Sequence, residues 1–521
     1  MARSNDTRLD VTLVLPHPEV AAWLRDLYAS LCQSGHVSLR VVLVTNGRPR
    51  VGRGTRLLRA WKWIDAKLFR RKIAAAVHSE AIVGLPAEPD ADEIGSDEGD
   101  IIIWMLPNRP PAGLGSTARY GVWTIADAFD EALGFLELVN REPVTRCDLI
   151  IYGDSVRDDV VVASAFAATD DLSLARGING VRIKSQALLL SMISRVNRGI
   201  DPHSGEVPDD ASVPGFRSSP GLLQICWGLL RLYGRYLRGL ATRPFYFDQW
   251  QLAYRLGGDR LNQDGLQRLA PTHGGFWADP FVAEQDGRRF IFFEEFQTET
   301  DRGHIAAMEV GPDGAMREPV DVLKSEYHLS YPFLFRYDGS LFMIPECAES
   351  GRVEAFRCTR FPDRWESHAV LLDGVHAFDP TMIENDGKWW LFTTIQHGGN
   401  SCDDELHLFY ASSPFDTWVA HPLNPIQLDV RLARPAGALF REQGRLLRPA
   451  QDCSARYGSA ISILEIQCMT TEDYKEIEVE RISPDWAIGA HATHTVNQGS
   501  GITVYDCQTR PLKLSSSRNT R

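Results

Sequence analysis

From residue 276 onward the chain alternates apolar runs and polar turns in one recurring order. Phe276-Trp277-Ala278-Asp279-Pro280-Phe281-Val282 is followed by a turn at Asp286-Gly287, then Phe290-Ile291-Phe292-Phe293 and Glu294-Glu295. Tyr331-Pro332 leads through Asp338-Gly339 to Leu341-Phe342-Met343-Ile344 and Pro345-Glu346. Asp379-Pro380 leads through Asp386-Gly387 to Trp389-Trp390-Leu391-Phe392. A looser copy runs from Arg434-Pro435 through Gly444 to Leu446-Leu447-Arg448-Pro449-Ala450-Gln451. Asp-Gly between two apolar runs is a hairpin signal, because both residues tolerate positive φ. Units of this kind recurring at about 50 residues read as propeller blades. A fifth blade assembles from both ends of the region: Gln249-Trp250-Gln251-Leu252-Ala253-Tyr254 supplies one strand, and 486–506 with Gly501-Ile502-Thr503-Val504-Tyr505 supplies the others. Pairing first and last segments closes the ring and removes its open edges.

The N-terminal half has a different rhythm. Val11-Thr12-Leu13-Val14-Leu15 and Leu39-Arg40-Val41-Val42-Leu43-Val44 read as buried strands around a helix over 18–34. Further strands are expected at 100–106, 120–125, 147–152 and 159–163, then a helix over 181–196. Strands alternating with helices predict an α/β layer with a largely parallel sheet. No glycine-rich phosphate loop follows the first strand, so dinucleotide binding has little support. The fold class is therefore two domains, an α/β parallel-sheet domain followed by an all-β five-bladed propeller. The expected divisions are a disordered start at 1–8, the α/β domain over 9–198, a linker and amphipathic helix over 199–244, the propeller over 245–508 and a disordered tail at 509–521.

Composition changes this picture in a few places. In 521 residues, 44% hydrophobic and 24% charged content leaves material for two cores. The net charge of −13 argues against a nucleic-acid partner, whose binder is normally basic. Nine cysteines without a CxxC pair suit reduced thiols. With a polar start and no apolar run of spanning length, this sets a cytoplasmic expectation. Against the acidic average, 53–72 carries Arg53, Arg56, Arg59, Lys62, Lys67, Arg70, Arg71 and Lys72 with a single Asp65. Leu57, Leu58, Trp61, Trp63, Ile64, Leu68 and Phe69 interleave at helical spacing. Such a helix either packs an apolar stripe on the sheet or lies on an anionic membrane surface. The stretch 221–240 is a second helix open to the same two readings, an interfacial helix or a strut. Peripheral attachment to the inner membrane face is the expectation if both bind lipid. The acidic run 80–100 reads as a loop, and 199–220 as a linker rich in Pro, Ser, Gly and Asp.

Two resemblances refine these readings. "Ser34-Gly35-His36", "Tyr120-Gly121-Val122-Trp123" and "Arg141-Glu142-Pro143-Val144-Thr145" resemble the formyltransferase N-terminal fold over roughly 8–198. The family's catalytic Asn-x-His falls on Thr124-Ile125-Ala126, and its aspartate on Asp158. Without the asparagine and histidine nothing polarises the formyl carbonyl, so a degenerate scaffold is expected. An amino-sugar formyl or acyl transferase stays as an alternative. The second resemblance is carried by Trp277-Ala278-Asp279-Pro280-Phe281, His328-Leu329-Ser330-Tyr331-Pro332, Met343-Ile344-Pro345-Glu346, Asp379-Pro380-Thr381 and Arg448-Pro449-Ala450-Gln451-Asp452. These resemble the N-terminal propeller domain of the glucosamine inositolphosphorylceramide transferases, within the five-bladed glycosidase propeller superfamily. The catalytic domain that follows the propeller in those transferases has no counterpart in these residues, so that activity is not expected.

Equivalent positions in each blade should face one direction. The residue before each proline is Asp279, Tyr331, Asp379 or Arg434, and the next strand ends at Glu294, Glu346, Thr394 or Gln451. Pointing at the axis, they would gather carboxylates, an arginine and an amide beside aromatics, the composition of a sugar site. The glycosidase resemblance implies Asp279 as general base or nucleophile and Asp379 as the carboxylate that orients. Glu346 becomes an off-pattern candidate for the acid, because Arg434 and Gln451 stand where those enzymes carry one. The catalytic candidates are thus Asp279, Glu346 and Asp379. The binding candidates are Trp277, Glu294, His328, Tyr331, Arg448, Gln451, Asp452, Tyr457 and His494. No cofactor or metal is assigned. The expected role is a carbohydrate-active protein of surface polysaccharide or glycolipid assembly, with a saccharide or glycolipid partner. The alternative is a propeller that binds glycan without chemistry.

Overall fold

A computed structural model describes residues 8–17, 19–44, 53–69, 79–81, 99–126, 130, 132–204, 220–242, 244–271, 275–397, 399 and 401–512. Arg70, Arg71, Lys72, most of the acidic run, most of the linker and the last residues of the tail lie outside them. The chain forms two compact units, dividing between Leu237 and Arg238 inside one helix.

The N-terminal unit holds a six-stranded sheet. Leu9–Leu15 pairs in parallel with Val37–Leu43 and Ile101–Trp104, and the latter pairs in parallel with Val122–Ile125. The next two pairings, to Val144–Tyr152 and on to Val160–Ala168, are antiparallel. The sheet is therefore mixed rather than largely parallel. Length accounts for the last of these pairings: its two strands are joined by 153–159, too short for the crossover of a dozen or more residues that parallel neighbours need, whereas Val122–Ile125 and Val144–Tyr152 pair antiparallel although 126–143 lies between them. Five helices accompany the sheet among the described residues: α1 (Ala22–Gln33), α2 (Arg53–Leu68), α3 (Phe135–Asn140), α4 (Leu174–Asn197) and α5 (Leu222–Thr242). Asp65 on α2 accepts from Ser173 Oγ and Ala175 N, both at 2.8 Å, and so caps the start of α4. Thr124 donates to Trp104 O at 2.9 Å, and Asp158 accepts from Ser155 Oγ at 2.6 Å in a local capping box.

The C-terminal unit is a five-bladed propeller. Four blades are four-stranded antiparallel sheets over 275–323, 330–373, 376–420 and 440–482. The closing blade joins Gln249–Leu256 to Ile502–Thr509, with Val504 opposite Tyr254 and Tyr505 opposite Ala253. The Asp-Gly turns take the mirror-image geometry that matches strand twist: φ is 54° and 74° at Asp286-Gly287, 46° and 71° at Asp338-Gly339, and 52° and 71° at Asp386-Gly387. Gln443-Gly444 does the same in the looser copy, at 50° and 82°. Apolar residues of neighbouring blades fill the space between sheets; Phe333, Phe335, Phe342 and Ile344 of the second blade pack with Met382, Trp389 and Leu391 of the third.

Candidate functional site

The site begins as a backbone irregularity repeated in three blades. The inner strands carry bulges between Ala278 and Phe281, between Ser330 and Phe333, and between Phe378 and Thr381. Inside each bulge the residue before proline takes a left-handed backbone, with φ of 53° at Asp279, 42° at Tyr331 and 49° at Asp379. This conformation is rare outside glycine and disfavoured before proline, costing about 1–3 kcal/mol apiece. It re-aims each side chain. On the partner strand, Glu294 lies opposite Ala278, Glu346 opposite Ser330 and Thr394 opposite Phe378.

Two ion lattices result. In the first, Arg434 is the hub: Nε meets Asp379 Oδ2 at 2.6 Å, Nη2 meets Glu346 Oε2 at 3.2 Å, and Nη1 meets Asp403 Oδ1 at 2.8 Å. Gln451 donates to the same Asp379 oxygen at 2.7 Å, and the backbone N–H of Asp379 donates to Glu346 at 3.1 Å. Burial, together with Glu346 alongside, pushes the Asp379 carboxyl well above the usual range despite Arg434. Burial works against the Arg434 charge, but its carboxylate partners raise it well above the ordinary value.

The second lattice joins the first blade to the closing blade. His494 stands between Asp279 and Asp506, 3.0 Å from an oxygen of each. Thr495 Oγ1 donates to Asp279 at 2.8 Å, while the N–H groups of His494 and Thr495 donate to Asp506. Burial would depress the imidazole, but Asp506 and Asp279 outweigh it and push His494 up to about 10. Burial would raise Asp279, yet His494, Thr495 and Arg434 hold it below the usual carboxylate range.

Tyr331 ties the blades together: its buried hydroxyl accepts from Gly437 N and lies 2.8 Å from Thr381 Oγ1. Glu294 faces His328, whose Nε2 is 3.2 Å away and whose Nδ1 accepts from Gly303 N at 3.0 Å. Burial raises Glu294; it would lower His328, but Glu294 raises that imidazole instead. A methyl group on Gly303 would lie 2.6 Å from Glu294 Oε1, 2.7 Å from His328 Cε1 and 2.8 Å from Leu329 O. Gly303→Ala is therefore expected to cost about 1–3 kcal/mol through overpacking and to displace His328. Urea unfolding and the His328 NMR titration check both effects. Wild-type stability with an unmoved titration would mean the space is wider than these distances.

Above the lattices sits Tyr457, 40% exposed, its ring 5.0 Å from the Arg434 guanidinium and 5.1 Å from the His494 ring. Trp250 packs edge-on against Tyr457 at 6.2 Å. Asp279, Glu346, Asp379, Tyr331, Gln451, Tyr457 and His494 thus come together. Three other candidates are placed elsewhere. Trp277 donates to Glu295 at 3.1 Å and packs in the blade core. Arg448 meets Glu476 at 2.7 Å and the Leu432 carbonyl, and Asp452 meets Arg481. The assigned residues left out Arg434, Asp403, Thr495 and Asp506. Of these, Arg434 had a signal, its place before proline in the same slot as the aspartates.

Three groups among the described residues have cation-ligand spacing: His397, Glu405 and His407; Asp279, His494 and Asp506; and Glu295, His304 and Asp321. In the second the imidazole already bridges the carboxylates. The first, two imidazoles and a buried carboxylate, has the donor types of a zinc site.

Residues 267–498 match the family described as glucosamine inositolphosphorylceramide transferase 1, N-terminal. The glucosamine inositolphosphorylceramide transferase 1 of Oryza sativa subsp. japonica is 38% identical over 223 residues, covering 41% of this chain and 30% of that protein. The Arabidopsis thaliana protein of the same name is 36% identical over 208 residues, covering 39% and 27%. The chain thus spans about 30% of the length of the curated relatives it matches. Zg3597, a family 117 glycoside hydrolase of the marine bacterium Zobellia galactanivorans, is 12% identical, with 50% of this chain and 90% of that one covered at a TM-score of 0.34. That likeness is too slight to bear on activity. The resemblance expected for the C-terminal half holds; the formyltransferase resemblance of the N-terminal half gains no support.

Proposed function

We propose that the propeller is a saccharide-recognition module serving glycolipid or surface-polysaccharide assembly, holding a sugar ring against Tyr457 without cleaving it. One observation carries this reading: a half-exposed tyrosine ring is held beside Arg434 and His494, over a buried ion lattice. An aromatic face so placed stacks on a pyranose, and the partly exposed Asp403 and His328 offer polar contacts to hydroxyl, amino or phosphate groups. The printed name of the curated relatives supports a glycan with glucosamine or inositol phosphate as the first ligand to try.

Hydrolysis needs an acid and a base or nucleophile free to work on either side of the bond. Here Glu346 and Asp379 both accept from Arg434, and Asp279 holds His494 and Thr495. A second reading rests on the opposite pushes on two carboxyls, Asp279 downward and Asp379 upward, the pattern of a base and an acid. Both are tested by titrating the full chain with amino-sugar and inositol-phosphate glycans and assaying the same glycans for turnover. Tyr457→Ala is expected to weaken binding about tenfold, the loss of one stacking contact of roughly 1 kcal/mol or more, with the chain still folded by circular dichroism at the assay temperature. Wild-type binding indifferent to Tyr457→Ala would remove the stacking reading. Turnover that disappears in Asp279→Asn while binding survives would replace it with the hydrolytic one.

A further inference from the structure

Helix α5 has two apolar faces on opposite sides. Its inner stripe, Ile225, Gly228 and Leu232, is buried against Phe135, Leu138 and Val139. The approach is close: a methyl on Gly228 would meet Val139 at 2.7 Å and Phe135 at 2.9 Å. Its outer stripe follows the spacing i, i+4, i+7, i+14: Leu223, Trp227, Leu230 and Leu237 are 85%, 57%, 64% and 63% exposed. At 3.6 residues per turn these four share one side of the helix, away from the buried stripe. Helix α2 is bonded alongside through Trp61 Nε1, which donates to Tyr233 Oη at 3.2 Å, and it leaves Trp63, Ile64 and Leu68 exposed. Four large apolar side chains in register on one helix, with three more on its neighbour, exceed the scattered exposure normal for a surface.

The charges say what covers them. Helix α2 carries Arg56, Arg59, Lys62 and Lys67, and 222–237 carries Arg231, while Arg235 is turned inward and donates to the carbonyls of Leu138 and Val139. The one acid on these segments, Asp65, is buried and turned to the start of α4. All this sits in a chain of net charge −13. Lys67 lies over the Trp63 ring at 3.6 Å and Arg231 over the Trp227 ring at 5.4 Å, so cations stand beside the exposed tryptophans. Tryptophan with a neighbouring cation suits the boundary between headgroups and acyl chains. A second copy of the chain would be repelled, because a twofold interface sets each basic flank against its equivalent. Among the described residues no helix is long and apolar enough to cross a membrane, which fits lying on one.

We propose that α2 and residues 222–237 of α5 form a peripheral docking surface for a bilayer containing anionic phospholipid. The surface lies within the N-terminal unit and does not depend on what the propeller binds. The test is flotation of the full chain with vesicles of phosphatidylcholine alone or with about 30 mol% phosphatidylglycerol, a composition that adds attraction for each basic side chain near the surface. The chain is expected to float with the anionic vesicles at least about tenfold better than with the neutral ones, and to be released by salt. Leu223→Glu with Leu230→Glu, both at solvent-facing positions, should abolish flotation while leaving the circular dichroism unchanged. Arg231→Gln with Lys67→Gln should weaken it without touching the apolar stripe. A wild-type chain that stays at the bottom of the gradient with anionic vesicles overturns the proposal. So does a lipid-free dimer, seen by light scattering, that Leu223→Glu with Leu230→Glu dissociates.

Discussion

Arg434→Met is expected to destabilise the propeller by about 3–5 kcal/mol, the cost of removing one partner from a buried ion pair. The size follows from what the substitution leaves behind. Glu346 and Asp379 are almost fully buried, and the Arg434 side chain is their shared cation, with Asp403 on its third nitrogen. Methionine fills much of the volume but satisfies none of these oxygens, so the burial that already pushes Asp379 upward acts without opposition. The companion experiment separates charge from packing. In an Asp379→Asn, Glu346→Gln background the same Arg434→Met change should cost much less, because no unpaired carboxylate remains. Guanidinium unfolding of the four proteins gives the coupling directly. Equal costs in both backgrounds would mean that Arg434 acts through its stem, and the lattice would lose its place as the rigid floor beneath Tyr457.

Much of this architecture could be read from spacing alone. The period, the Asp-Gly turns and the closure of the first segment on the last are local or nearly local statements. Each reappears in the structure, down to positive φ at both turn residues. Convergence of the residues before proline was legible for a similar reason, since three copies of one grammar place Asp279, Tyr331 and Asp379 equivalently and the looser fourth copy still brings Arg434 to Asp379. Pairing was not legible. Arg434 meets carboxylates 55 and 88 residues away, and nothing in a one-dimensional register says that a base in a ring of acids will neutralise two of them. Arg448 and Asp452 show an unused signal. They sit three before and one after Gln451, both odd offsets along a strand, so alternation alone puts them on the other face. There the structure gives them Glu476 and Arg481. The N-terminal sheet illustrates the opposite failure: alternating elements imply parallel pairing only where the connection is long enough, which 153–159 is not, and even the long connection 126–143 leads to an antiparallel neighbour.

The second lattice makes the propeller's stability depend on pH, with a definite sign. His494 is pushed up to about 10 by Asp506 and Asp279, whereas in the unfolded chain an imidazole titrates near 6.5. The folded state therefore holds this proton more tightly, so the contribution is fully present below about pH 6.5 and lost as the pH rises to about 10. Asp279, held below the usual range, contributes in the other direction: its share is present above the ordinary carboxylate pKa and lost in acid. Between these limits the pair is fully formed. His494→Gln removes the cation but keeps a donor for one carboxylate. It is expected to cost on the order of 3–5 kcal/mol near neutrality. Its discriminating feature is the trend, because other titrating groups cancel in the difference between wild type and variant. That difference should shrink toward zero between about pH 6.5 and about pH 10, as the wild type loses the proton the variant never had. Urea unfolding of both proteins across this window measures it. A gap that stays constant with pH would mean that His494 is neutral when folded and that Asp279 owes its low value to Thr495 and Arg434. The charge beneath Tyr457 would then be Arg434 alone, and the stacking site would recognise its ligand over one cation instead of two.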